Sequence, residues 1–110
     1  MSSDACVAFY GLRYEVTAAE VDQLERNTDP RQILSKQVGL SSYWGNFGGQ
    51  ADRFVLFVGK KLTVLGPEND MTAAFTAERL LTITSDTAKR LKEADLRGEI
   101  GLFLEWLTDA

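Results

Sequence analysis

The run Cys6-Val7-Ala8-Phe9-Tyr10-Gly11-Leu12-Arg13-Tyr14-Glu15-Val16 constrains the fold more than any other part of the chain. β-branched and aromatic side chains dominate it, and these suit a pleated, packed surface. Its first half is apolar throughout, as in a strand covered on both faces. Its second half alternates, with Tyr10, Leu12, Tyr14 and Val16 on one face and Arg13 and Glu15 on the other. Such a strand is central at its start and half-exposed at its end. The sheet around it has to come from the rest of a chain of 110 residues, a length that suits one globular domain over 1–110.

Helix-start signals follow at once. Thr17-Ala18-Ala19-Glu20 has capping-box spacing, in which the Thr hydroxyl and the Glu carboxylate satisfy free backbone N–H groups; it predicts a helix over 18–26 with Val21 and Leu24 facing inward. Asp29-Pro30 is a second start, an N-cap followed by proline where its missing N–H costs nothing. Ile33, Leu34 and Val38 form the apolar side of that helix, and Gly39 ends it. Tyr43 to Phe47 and Arg53 to Val58 read as two antiparallel strands around the turn-rich Gly48-Gly49-Gln50-Ala51-Asp52. Gly59-Lys60-Lys61 reads as a turn into a further short strand, Leu62 to Leu65, and Gly66 to Asp70 stops regular structure. Thr76 caps a helix over 77–94, with Phe75 and Leu80 placed as a hydrophobic staple and Leu80, Ile83, Thr87, Leu91 and Ala94 at helical spacing. Ile100 to Leu107 reads as a final, mostly buried strand.

The expected architecture is α+β: an antiparallel or mixed sheet of about five strands, with two to three helices on one face, in the order β-α-α-β-β-β-α-β. This resembles a ferredoxin-like split βαβ plan with one extra helix and one extra short strand. The likeness is topological, and such plans carry many unrelated functions.

Composition narrows the chemistry. The chain has no histidine and one cysteine, so Ser-His-Asp and Cys-His mechanisms and zinc sites of Cys and His ligands are excluded. No cofactor or metal is implied. Cys6 cannot form an internal disulfide, and its apolar surroundings predict a buried, inert thiol. The net charge is −4, with seven acids and five bases in residues 1–55 and nine acids and seven bases in residues 56–110. Neither half offers the basic face that nucleic acid or an anionic membrane surface requires. The uncharged apolar run Val55 to Val58 is too short to cross a bilayer, and residues 1–20 lack a leader pattern, so a cytoplasmic location is expected.

Glu68, Asn69 and Asp70 bring oxygen ligands together but lack the alternation of a calcium loop, and a plain turn explains them. Gly45-Asn46-Phe47-Gly48 spells GXXG, yet it lies between strands rather than helices. Glu105 and Asp109 form a carboxylate pair if the last strand runs that far; solvated surface charge is the simpler reading. The most suggestive cluster is Tyr43, Trp44, Asn46 and Phe47, aromatic residues beside flexible glycines, as on many recognition surfaces. Alternation sends Tyr43 and Phe47 one way and Trp44 and Asn46 the other. With Tyr43 and Phe47 inside, Trp44 and Asn46 are left on the outer face as a partner surface; core or dimer packing is the competing account.

Three classes of function therefore stand side by side. The first is a non-enzymatic protein-interaction or regulatory module, a small acidic inhibitor or immunity-type protein being one case, with a protein partner or self-association. The second is a small-molecule-binding or carboxylate-dependent enzymatic domain, whose mark is a cavity containing Asn46 or Glu105, with no ligand named by the sequence. The third is a purely structural subunit with large apolar dimer contacts.

Overall fold

A computed structural model describes residues 4–48 and 51–107. Its elements run β1 (Ala5–Val16), α1 (Ala18–Glu25), α2 (Pro30–Gln37), β2 (Ser41–Asn46), β3 (Phe54–Leu65), α3 (Ala77–Glu93) and β4 (Gly101–Leu107). The strands form one sheet in the order β2-β3-β1-β4, with every neighbouring pair antiparallel. The fold is α+β with the split βαβ strand order, and β1 is central as its sequence requires.

Among the described residues the sheet has four strands rather than about five. The expected break at Gly59-Lys60-Lys61 does not occur, and β3 runs unbroken through it for 12 residues. Gly59 lies directly across from Gly11 of β1, and both have φ of +148°. A Cβ on Gly11 would sit 2.1 Å from the Val58 carbonyl oxygen, and one on Gly59 2.3 Å from that of Tyr10. These glycines serve a close approach of two backbones, not a turn. A bulge follows, where Ala8 pairs with Thr63 and Phe9 with Lys61, leaving Leu62 as the extra residue.

Helix starts follow the predicted caps. Glu20 accepts from the Thr17 backbone N–H at 3.0 Å, Asp29 accepts from Arg31 N at 2.9 Å, and Thr76 Oγ1 accepts from Arg79 N at 3.1 Å. The inward face of α2 is a correction: Gln32 and Ser35 are buried while Ile33 is 44 % exposed. The buried amide earns its place by hydrogen bonds, with Gln32 Nε2 donating to the Leu24 carbonyl at 3.1 Å and Oε1 accepting from Asp29 N at 3.3 Å. Arg31 ties α1, α2 and β1 together, bonding Glu20 at 2.7 Å and Asp29 at 2.9 Å with its guanidinium 5.0 Å from the Tyr14 ring centroid. The Arg31 side chain holds the Asp29 carboxyl below its ordinary range, and the Thr17 backbone N–H does the same for Glu20.

The two faces of the sheet are covered by different means. On one, Leu12, Val16, Leu56 and Val58 pack with Leu24 of α1 and Leu91 of α3. Among the described residues no helix packs on the other, yet Val7, Phe9, Val55 and Phe57 there are fully buried. Strand curl explains this. Gly45 and Leu107 stand on opposite edges, and the register sets them level with Glu15 and Ala5 of β1, so in a flat sheet they would be roughly 35 Å apart, about 14 Å across the strands and about 33 Å along them, but Leu107 Cδ1 lies 3.5 Å from where a Gly45 Cβ would stand. By the pairing register the four strand glycines, Gly11, Gly45, Gly59 and Gly101, share this inner face and leave room for the coiling. Phe57 fills the hollow, stacked on Phe9 at 5.3 Å and edge-on to Phe47 at 5.7 Å between ring centroids.

Candidate functional site

The four residues singled out from the sequence divide as alternation predicts, but both directions lead into packing. Tyr43 and Phe47 point into the aromatic hollow, Phe47 being buried and Tyr43 partly so. Burial pushes the Tyr43 hydroxyl above its ordinary pKa. Trp44 turns to the helix-covered face and packs against the core there, rather than standing on an open surface. Asn46 organises the β2–β3 loop: Oδ1 accepts from Gly48 N and Arg53 N, both at 3.0 Å, and Nδ2 donates to Asp52 at 2.8 Å. Gly49 and Gln50 of that loop, and Asp109, lie outside the described residues.

Glu105 is not the solvated surface charge that the sequence suggests. It points inward from β4, where Arg13 Nε donates to its Oε1; its Oε2 accepts no hydrogen bond from the described residues and lies 4.0 Å from Arg53 Nη2. This ion cluster joins β1, β4 and the start of β3 across the rim of the curl. The turn at Gly66–Asp70 is held by backbone bonds, Asn69 N to Gly66 O and Gly66 N to Asp70 O, both 3.0 Å. Open clefts lie beside α2 and β2 (about 790 Å³), between α3 and the α2–β2 turn (about 320 Å³), and beside Thr17 and Arg53 (about 320 Å³). Neither Asn46 nor Glu105 lines any of the three.

The surface that stands out is one the sequence reading treats as buried. Along β4, Gly101, Phe103, Glu105 and Leu107 face the hollow, while Leu102, Leu104 and Trp106 face outward with exposures of 54 %, 64 % and 59 %. Their cross-strand neighbours on β1 are Tyr10, Ala8 and Cys6, so the stripe lies on the face that carries the helices. α3 packs over β1 and β3 and stops short of it. The same gap leaves Cys6 half-buried, with Trp106 as its cross-strand partner, instead of fully enclosed.

Arg90, whose Nη1 donates to the Val38 carbonyl at 2.7 Å, together with Thr82, Ile83 and Asp86 beside the cleft at Gly39, marks the side turned toward α2. At about 100° per residue, Leu81, Thr84 and Ala88 come round to the opposite flank. Leu81 is 67 % exposed. The outward face of β4 is thus apolar, and the strand's single charge, Glu105, is turned away.

The signal that marks this stripe is available in the sequence only in part. Leu102, Leu104 and Trp106 alternate with Phe103, Glu105 and Leu107, but every position except Glu105 is apolar, so hydropathy cannot tell the covered face from the bare one. Comparison with protein-family models, with curated proteins and with solved structures finds no match to this chain, and the functional reading rests on its own residues and geometry.

Proposed function

We propose that this chain is a non-enzymatic protein-interaction module that presents the outer face and free edge of β4 to another polypeptide. The observation that carries the reading is the exposed stripe Leu102, Leu104 and Trp106 on an edge strand without an outward charge. Contiguous large apolar side chains at a surface mark interaction sites, and unpaired strand edges are templates for further pairing. Trp and Leu here combine area with few degrees of freedom, as the anchors of interfaces do.

The test compares wild type with Leu104→Lys by cross-linking in native extract followed by mass spectrometry, scoring every cross-link to β4, whether to the same protein or a different one. Wild type is expected to yield intermolecular cross-links centred on β4 that the variant loses, with the variant's thermal midpoint unchanged. Intermolecular contacts that map elsewhere and survive the substitution would sink the reading.

A further inference from the structure

We propose that the cleft between α3 and the α2–β2 turn binds a small anionic molecule through a phosphate group. The cleft has a volume of about 320 Å³, and no residue of β4 lines it, so it is separate from the apolar stripe. Thr87 is the residue that points to a ligand. It is 2 % exposed and lines this cleft, and its hydroxyl makes no hydrogen bond with the described residues. The Thr82 and Thr84 hydroxyls on the same helix each donate to a helix carbonyl, Glu78 at 3.1 Å and Leu81 at 3.2 Å. A buried hydroxyl without such a partner costs stability unless something else supplies one, and the cleft is the open side of Thr87.

Two cations line the same cleft. Arg90 lies three residues beyond Thr87 on α3, a spacing that puts both on one helix face. Its guanidinium is fixed in place, with Nε donating to Asp86 at 2.9 Å and Nη1 to the Val38 carbonyl at 2.7 Å. Gly39 makes room for it, since a Cβ there would stand 2.6 Å from Nη1. Nη2 is left uncommitted among the described residues. Lys60 follows Leu56 and Val58 by alternation onto the helix-covered face of β3, lines the cleft from the sheet side and pairs with no described carboxylate. Counting Arg90 and Lys60 against Asp86, the lining carries one net positive charge in a chain of net charge −4. Asp86 is already engaged by Arg90, so the groups free to act are donors: Arg90 Nη2, the Lys60 ammonium and the Thr87 and Ser41 hydroxyls. They converge from α3, β2 and β3, which suits the tetrahedral spread of phosphate oxygens better than the single plane of a carboxylate.

The experiment follows the amide resonances of the purified full chain during titration with inorganic phosphate and, separately, with acetate, sodium chloride holding the ionic strength constant. Phosphate is expected to move the resonances of Gly39, Ser41 and Thr87 along a saturable curve with a midpoint of about 1–10 mM, and acetate at the same concentrations to leave them in place. Lys60→Gln and Thr87→Val should each raise that midpoint about 5-fold or more. Thr87→Val also separates binding from structure, because removing an unpartnered hydroxyl at constant shape should hold or raise the thermal midpoint of the free protein. Saturation by acetate in place of phosphate, a linear response without saturation, or a midpoint unchanged in either variant overturns the proposal. So does a lowered thermal midpoint in Thr87→Val, which would assign that hydroxyl to the fold.

Discussion

The two edges of this sheet are treated differently. β2 has six residues, polar at Ser41, Ser42 and Asn46, with Tyr43 and Trp44 drawn into the two cores and α2 packed alongside. β4 has seven, and its outward side chains are Leu102, Leu104 and Trp106. Sheet edges are normally blunted by charge, proline, bulges or a covering element. β2 has polar side chains, whereas β4 shows none of these devices among its described residues. A chain that shields one edge and leaves the other apolar has its vulnerable strand where a partner fits.

The comparison is sharpest when similar substitutions are made at the two edges. Phe47→Ala, at the end of β2, empties part of the aromatic hollow and should cost about 3–5 kcal/mol by urea denaturation; an equal loss in Leu104→Ser would show that β4 is structural after all. Asn46→Ala removes the acceptor for Gly48 N and Arg53 N and should cost about 1–2 kcal/mol, with faster amide exchange confined to the β2–β3 loop. Acid should loosen the α2 side. Asp29 has a folded pKa below its ordinary 3.8, so its contribution is fully present above that value and is lost as pH falls through the depressed one. Asp29→Asn should therefore flatten the decline in the urea midpoint between about pH 5 and pH 2, and exchange in α2 should rise ahead of exchange in central β1. The smallest effect belongs to Leu104→Ser, expected within about 0.5 kcal/mol of wild type when both are measured as monomers.

Much of the fold is legible locally. The caps at Thr17, Asp29 and Thr76, the end of α2 at Gly39 and the central place of β1 all follow from short-range chemistry that the folded state leaves intact. What fails depends on tertiary context. Gly59 reads as a turn because nothing nearby reveals that Gly11 will lie across from it. The inward face of α2 is misassigned because Gln32 finds a carbonyl on α1, a partner hydropathy does not count. Cys6 and Leu104 are misplaced for one shared reason: α1 and α3 cover the middle of the sheet and leave its last strand bare, and a run of apolar letters is the same under a helix as beside one.

The inner-face glycines carry a consequence for how this sequence can drift. Leucine, valine and isoleucine in a core can exchange for one another at modest cost. Gly11 and Gly59 have no such neighbours in sequence space, because the smallest heritable change, one methyl group, drives a Cβ to within 2.9 Å of the facing Cα. The curvature of the sheet is thus encoded by missing atoms, and its lineage would show these positions as fixed points while the aromatic filling around them varies.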